Sequence, residues 1–374
     1  MIKVLHIITG LGVGGAENML LKILKNTNRN SYEHTVVSLT GKGEISQEIE
    51  KLGYEIVNLE IGSFRIFKNL HKVKLLVDKS DLVNTWLYHA DFFGFIFSKM
   101  RFKTKKIIWN VRHTNLDVQH NKISTLLILK MNRYLSRKID LVTFNSIESR
   151  NNHIKLGFNP QKIKMISNGF DLKEIKFSNI NRVKYRNELG IKEDEKVLIT
   201  VGRWHKQKDY YNLINALKIF KLEIPHFKMI FIGKDLDYEN IELSNLIKKS
   251  GLENNIVLLG KRLDAKELLS VADLYISSSA GESFSNSIGE ALATSLPCVV
   301  TDVGESALII GNAGIVVPSK NSKALANAMS ELVHNLTMYN FMKSVAREQI
   351  EQRYNIKDVI ITIENNYKEV VEYE

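Results

Sequence analysis

Cysteine is nearly missing from this chain: Cys298 is the only one in 374 residues, which excludes an internal disulfide framework and a cysteine-built metal cluster. It follows Pro297 at the head of an apolar run, the setting of a buried, inert thiol rather than a nucleophile. Proline is scarce too, at 4 residues, and beside a hydrophobic content of 44% this argues for compact folding without long disordered tails. No run reaches the ~18 uncharged apolar residues that cross a bilayer. Met1 to Thr9 reads as a short strand with no cleavage region, unlike a signal peptide. A soluble cytoplasmic protein is therefore expected. The 10 histidines show no metal-ligand spacing, so no metal is expected.

The first half also lacks acidic charge. Residues 1–170 hold 26 Lys+Arg against 13 Asp+Glu, residues 171–374 hold 26 against 28, and the chain carries +11. One half alone therefore faces something anionic. Lys99, Arg101, Lys103, Lys105 and Lys106 form the densest cluster. Phe64, Arg65, Ile66, Phe67, Lys68, Leu70, Lys72 and Lys74 interleave apolar with basic groups. An anionic membrane surface suits that mixture, which adds peripheral attachment to the inner face of the cell membrane as an expectation. An ordinary solvated face accounts for it as well. Nucleic acid is disfavoured, because none of the usual nucleic-acid modules is visible.

Along the chain, strand patterns at Lys3 to Thr9, His34 to Leu39, Glu55 to Leu59, Leu82 to Trp86, Lys106 to Val111 and Leu141 to Asn145 alternate with helical ones such as Ala16 to Lys25 and Ile123 to Ser136. The rhythm restarts with strands at Lys196 to Gly202, Phe227 to Gly233, Ile256 to Gly260, Leu274 to Ser277, Cys298 to Thr301 and Gly314 to Val317. Such alternation predicts an α/β protein of two Rossmann-like domains, 1–170 and 171–355, facing a cleft, with ligands at the carboxyl ends of parallel strands.

The richest stretch is Gly281 to Pro297. A helix should begin near Ser285 or Asn286, with Ile288, Ala291 and Leu292 as its buried stripe. Its first amides and positive dipole end suit a diphosphate. Glu282 and Glu290 beside such a site are better matched to neutral hydroxyls, such as those of a sugar and a ribose. Arg203 and Lys208, after the strand ending at Gly202, can grip phosphate oxygens. Gly10 to Gly15 fits G-x-G-x-x-G between a strand and a helix, so a nicotinamide-dependent oxidoreductase is a rival, yet the next strand runs into Thr40, Gly41 and Lys42 where a ribose-holding acid belongs. Asp235-Leu236-Asp237 imitates a metal-binding D-x-D, but it follows a strand and opens a helical segment, where acids favour the dipole. A non-enzymatic protein binding membrane or nucleic acid would have no use for two bases and two acids about one cleft.

Glu282 and Glu290 with seven residues between them, Phe284 inside, and Glu290-Ala-Leu-Ala-x-x-x-Pro297 resemble retaining glycosyltransferase family 4. Gly202-Arg203-x4-Lys208, Gly14-Gly15-Ala16-Glu17 and Asn168-Gly169-Phe170-Asp171 resemble further segments of that family, in its order and across nearly the whole chain. The resemblance implies a GT-B fold whose last helix, Ile356 to Val371 within 356–374, crosses back onto the first domain. It implies a hexosyltransferase of polysaccharide or lipopolysaccharide type that needs no cofactor or metal, moving a sugar from a UDP- or GDP-linked donor to a lipid-linked or cell-surface glycan. Glu290 would bind the ribose and Glu282 the transferred sugar. Arg203 and Lys208 would stabilise the departing diphosphate, and amides around Phe284, Ser285, Asn286, Gly14 and Gly15 would cradle it. His113 matches the histidine under the donor sugar. His89, after the strand ending near Trp86, is placed to project into the same cleft, and Arg112 and Asp117 lie close enough to His113 to meet an acceptor there, though none of the three is assigned a role. Two departures are visible: Asp209 stands where a glycine is common, and Ala307 or a neighbour where the loop from Asp302 to Ala307 usually carries an acid.

Overall fold

The computed structural model describes residues 1–61, 66–99, 105–112 and 123–372. Its strands are β1 (Ile2–Ile8), β2 (Tyr32–Ser38), β3 (Ile56–Asn58), β4 (Leu82–Trp86), β5 (Lys106–Val111), β6 (Leu141–Phe144), β7 (Ile163–Met165), β8 (Lys196–Val201), β9 (Phe227–Ile232), β10 (Ile256–Leu258), β11 (Leu274–Ser277), β12 (Cys298–Thr301) and β13 (Gly314–Val317). One sheet runs β3-β2-β1-β4-β5-β6-β7 and the other β10-β9-β8-β11-β12-β13, and every pairing is parallel. Runs such as Ile107, Ile108 and Trp109 are buried without alternation, because helices cover both faces of a parallel sheet. The sequence reading has no counterpart of β7. That edge strand is three residues of half-buried backbone with Lys164 in its middle, too short and too polar to stand out from its neighbours.

The chain divides into a unit of Met1–Gly169 with Ile356–Glu374, and a unit of Phe170–Asn355. In each, the strand order reverses beside the first strand: between β1 and β4, and between β8 and β11. Ligand-binding loops of open α/β sheets gather at such switch points. The loop Gly10 to Gly15 leaves β1, and the segments carrying Lys208 and Glu282 leave β8 and β11.

The helix Ile356–Glu372 belongs to the first unit because of its apolar face. Ile356, Val359, Ile360, Ile363, Tyr367 and Val370 are buried at helical spacing in a cluster with Ile8, Leu20, Ile23 and Leu82. Each fully buried apolar side chain contributes ~1.5 to 3 kcal/mol before ordering costs.

Under that helix lies a chain of buried neutral polar groups. Thr27 donates to the Ile23 carbonyl at 2.9 Å, so its oxygen accepts from His34 Nε2 at 2.8 Å. His34 Nδ1 then accepts from His6 Nε2 at 2.9 Å. His6 Nδ1 accepts in turn from Asn84 Nδ2 at 3.2 Å and Trp86 Nε1 at 3.3 Å. Asn84 Nδ2 also donates to the Tyr367 hydroxyl at 2.8 Å, which ties the last helix to β4. One proton more on either imidazole would set a donor against a donor. Accordingly burial, and then the neighbouring Arg29, push His34 down to about 4. Burial and His34 hold His6 well below the usual imidazole range.

Both imidazoles titrate near 6.5 in the unfolded chain, so the unfolded chain takes up these protons first. Their contribution is whole above about pH 6.5 and drains away toward about 4; His34 alone accounts for roughly 3 kcal/mol across that window. The expected outcome is a denaturant midpoint for the first unit that drops between pH 7 and pH 5 in the wild type. His34→Gln should start lower and change less, and a wild-type midpoint flat over this interval would refute the hydrogen-bond chain.

Candidate functional site

After β8 the backbone turns at Gly202, whose position leaves no room for a side chain: a Cβ there would lie 2.8 Å from the Tyr210 hydroxyl and 3.3 Å from Lys208 Cε. Gly233, at φ +145, passes so close that a Cβ would overlap the Gly202 carbonyl oxygen at 1.4 Å. This tight crossing frees the loop to descend into a short 3-10 turn, Lys206–Lys208, where His205 Nδ1 accepts from the Gln207 amide at 3.3 Å. Asp209 follows in the left-handed region at φ 47 and caps the helix Tyr210–Glu223, accepting from the Asn212 amide at 3.2 Å. A left-handed position explains why glycine suits this place, and aspartate tolerates it better than most residues.

The segment after β11 is sewn to this loop. Ala280 donates its amide to the Gln207 carbonyl at 2.7 Å, and Ser278 Oγ donates to the Lys208 carbonyl at 2.8 Å. Thr301 at the end of β12 holds the Ser279 carbonyl at 2.6 Å. Lys208 Nζ is thereby brought onto Glu282 Oε1, and the same oxygen accepts from Ser279 Oγ at 2.8 Å. The lysine and glutamate side chains are 22% and 13% exposed, so water screens their attraction only partly. The Asp302 to Ala307 loop braces the glutamate from behind. Gly304, at φ +54, lets its backbone approach the Glu282 carbonyl, where a Cβ would stand at 2.5 Å, and the Glu305 amide donates to the Ser283 carbonyl at 3.1 Å.

The helix Asn286–Ala293 starts one residue after Ser285, and Ile288, Ala291 and Leu292 are buried. Ser285 occupies the cap position without a side-chain cap bond; its hydroxyl lies 3.3 Å from that of Ser287. First-turn amides have no partner within a helix, and here the cap side chain does not supply one. Glu290 lies one turn in and is half-buried. The Phe284 ring points away from this end: it is buried, stacks on Phe170 at 6.1 Å and meets Tyr354 edge-on at 5.5 Å. Only the backbone of Phe284 is available to a ligand. Arg203 is exposed, and among the described residues nothing engages its guanidinium. Lys208, Glu282, Ser285, Asn286 and Glu290 thus share one region of the second unit.

In the first unit, Gly14 caps the helix Gly15–Asn26, and the Glu17 carboxylate lies where a Cβ on Gly14 would meet it at 2.4 Å; burial raises the Glu17 pKa. His113 and Asp117 lie outside the described residues. His89 is half-buried on the first turn of the helix Tyr88–Lys99. Arg112 is a clamp on its own unit: it donates to the Ile166 carbonyl at 3.1 Å and to Asn168 Oδ1 at 2.7 Å, and lies over the Trp86 ring. Burial lowers its pKa to about 10. Asp235 and Asp237 serve a turn, in which Asp237 accepts from the Glu239 and Asn240 amides at 3.1 and 3.2 Å. Burial pushes the Cys298 thiol far up, as an inert core group requires. Sequence reasoning missed Ser279, although a run of serines at the end of a parallel strand is a visible signal.

Residues 13–174 match the family model described as Glycosyltransferase Family 4, and residues 181–349 match Glycosyl transferases group 1. An uncharacterised glycosyltransferase of Methanocaldococcus jannaschii is 30% identical over 278 residues, 70% of this chain and 66% of the relative. The capsular polysaccharide biosynthesis glycosyltransferase CapH of Staphylococcus aureus is 28% identical over 307 residues, 78% of this chain and 79% of CapH. Among solved structures, Anabaena HepE in complex with UDP is similar with a TM-score of 0.86 at 25% identity, covering 98% of this chain and 100% of HepE.

Asp209 gives a direct test of the loop. Replacing it with alanine removes the cap and leaves a Cβ in the left-handed region, so Asp209→Ala should lower the stability of the second unit by ~2 kcal/mol in urea unfolding. Asp209→Gly exchanges a cap for an unstrained backbone and should stay within ~0.5 kcal/mol of wild type.

Proposed function

The chain belongs to the glycosyltransferases, a Family 4 region followed by a group 1 region, and from that membership we propose a retaining, metal-independent enzyme that moves a sugar from a UDP- or GDP-linked donor to a lipid-linked or cell-surface glycan. The observation that supports this best is the Lys208–Glu282 pair, held by two loops at the switch point of the second sheet and followed directly by the helix Asn286–Ala293. A diphosphate at that helix end meets amide donors, the dipole and the Lys208 ammonium together. Arg203, exposed on the same loop, supplies the second cation. UDP is the favoured donor nucleotide, since HepE was solved with UDP, and CapH, named for capsular polysaccharide biosynthesis, favours a surface glycan as product.

In this reading Lys208 is shared between Glu282 and the diphosphate, so the carboxylate keeps lone pairs for the hydroxyls of the transferred sugar while its charge stays balanced. Glu290 accepts from the ribose. The bond from the anomeric carbon to the diphosphate oxygen breaks, and the acceptor oxygen bonds to the same face of that carbon. The acceptor proton passes to the departing phosphate oxygen, so no side-chain nucleophile is needed. Lys208 and Arg203 do their work as negative charge builds on the leaving diphosphate, where preorganised cations are most effective. Gly14, Gly15 and His113 keep the roles that the resemblance gives them.

A panel of nucleotide sugars, scored by slow release of UDP or GDP without acceptor, should identify the donor. With it, Glu282→Ala should cut turnover ~100-fold or more while nucleotide affinity changes little, and Lys208→Ala and Arg203→Ala should weaken both. Wild-type turnover in all three would remove the site assignment. Chelation is a separate check: after treatment with EDTA, transfer should continue at an unchanged rate, and loss restored by a divalent cation would overturn metal independence.

A further inference from the structure

Two features that the sequence singles out take no part in the chemistry above. One is the pair of basic segments in the first unit. There Lys99 is paired with Asp140 at 3.1 Å, Lys105 donates to the carbonyls of Asp78 and Ser80 at 2.8 and 2.6 Å, and Lys72 is paired with Glu55 at 2.7 Å. Phe64, Arg65, Arg101 and Lys103 lie outside the described residues. The other feature is Asn168-Gly169-Phe170-Asp171, whose last two residues open the second unit and lead to the helix of the candidate site.

The Phe170 ring is fully buried and lies against the backbone of the helix Asn286–Ala293. A Cβ on Gly289 would stand 2.0, 2.4 and 2.7 Å from its Cζ, Cε2 and Cε1 atoms. Gly289 is not at a positive φ, and glycine is the poorest helix former after proline, so neither backbone conformation nor propensity calls for it here. What it provides is room for the ring. The ring is held in turn by its own backbone, since the Phe170 amide donates to the Tyr354 carbonyl at 2.8 Å, and by Phe284, which stacks on it. Gly289 directly precedes Glu290.

A second hold acts at the other end of the helix. Arg347, on the helix Leu336–Tyr354, donates through Nη1 to the Ala293 carbonyl. The same guanidinium donates to the carbonyls of Ile175 and Leu172 at 2.8 and 2.7 Å. Asp171 shapes that stretch: its Oδ1 accepts from the Lys173 amide at 2.9 Å, and its carbonyl accepts from the Ile175 amide at 2.9 Å. One cation thus joins the last turn of the helix to the chain that follows Phe170, at the end where the dipole favours positive charge.

We propose that Phe170 and Arg347 are positioning residues for the donor site, the ring setting how far the helix Asn286–Ala293 stands off the core and the guanidinium setting its place along its own axis. At 8 residues the helix is about 12 Å long, too short to hold itself in place, and its cap side chain makes no cap bond. Its seat therefore decides where its first amides and Glu290 stand relative to Lys208. Both residues act through the helix and neither touches the ligand. The inference deepens the proposed function and rests on it, because the place of those amides and of Glu290 matters only where they meet a diphosphate and a ribose.

Calorimetry with UDP, and with GDP in parallel, reads the seat in the full chain. Gly289→Ala drives a methyl group into the ring and should weaken nucleotide binding about tenfold, the worth of one charge-assisted hydrogen bond. Leucine lacks the three ring atoms that crowd Gly289, so Gly289→Ala combined with Phe170→Leu should return the affinity to within about threefold of wild type. Arg347→Ala removes the second hold without adding bulk and should weaken binding by a similar factor. Thermal unfolding of each variant establishes that it is folded at the temperature of the titration. Wild-type affinity in folded Gly289→Ala and folded Arg347→Ala, even beside a lowered unfolding temperature, would make both residues core supports only and overturns the proposal. A double variant that binds no more tightly than Gly289→Ala overturns the ring contact as its cause. Should Gly289→Ala fail to fold, Arg347→Ala decides by the same affinity. A wild type that binds neither nucleotide removes the proposed function and this inference together, whereas a wild type that binds UDP beside variants that bind it equally well removes only the positioning.

Discussion

Lys208 and Glu282 are 74 residues apart in sequence, and the candidate site depends on their meeting. Neither side chain would hold its place alone. A lysine that ends a short 3-10 turn has four rotatable bonds to order, and a carboxylate in the loop before a helix can turn toward solvent. What fixes them is backbone: the Ala280 amide on the Gln207 carbonyl, the Ser278 hydroxyl on the Lys208 carbonyl, and Thr301 on the Ser279 carbonyl. Two loops leaving adjacent parallel strands are in this way made into one surface, and the pair is a consequence of that joining.

The first unit solves a different problem with a similar economy of means. A parallel sheet buried on both faces usually carries only apolar side chains, yet His6, His34, Asn84 and Asn110 are all buried within it. They are tolerated because each donor finds an acceptor, from Thr27 through the imidazoles to Asn84 and Tyr367, with Asn110 joining Asn84 and Thr143. Such a network rewards one arrangement and penalises others, since a shifted helix would strand several polar groups at once. It therefore helps to specify where the returning helix Ile356–Glu372 lies, a task that its apolar face alone would perform with less discrimination.

Much of the site is legible in the sequence. Strand ends at Trp86, Val111, Ser277, Thr301 and Val317 fall where the sequence pattern places them, and at Ser277, Thr301 and Val317 the apolar run stops at the turn-forming residues Ser278, Asp302 and Pro318. The helix start at Asn286 followed from Ser285 and the Ile288, Ala291, Leu292 stripe. Ser279 escaped notice because a serine's importance depends on which carboxylate it faces. The resemblance puts the amide of Phe284 in the ligand cradle and says nothing of its ring, which serves the core. Arg112 looked like a cleft residue from its place after β5, and instead it binds the Ile166 carbonyl and Asn168. Charge was the least legible feature: counting bases located Lys99 and Lys105 but could not tell that both are occupied.

The sequence by itself determined the alternation of strands and helices, the doubled sheet, the glycine positions where backbones must pass closely, and which residue types lie near the carboxyl ends of β8 and β11. These are local matters, set by side-chain period and turn chemistry over a few residues. Only the tertiary structure decided that Lys208 reaches Glu282, that the loop at Gly304 supports it, and that Lys99 and Lys105 of the densest basic cluster are already engaged. Those outcomes turn on contacts between segments distant in the chain, and a pairing energy at a few ångströms leaves no periodic trace in the order of residues.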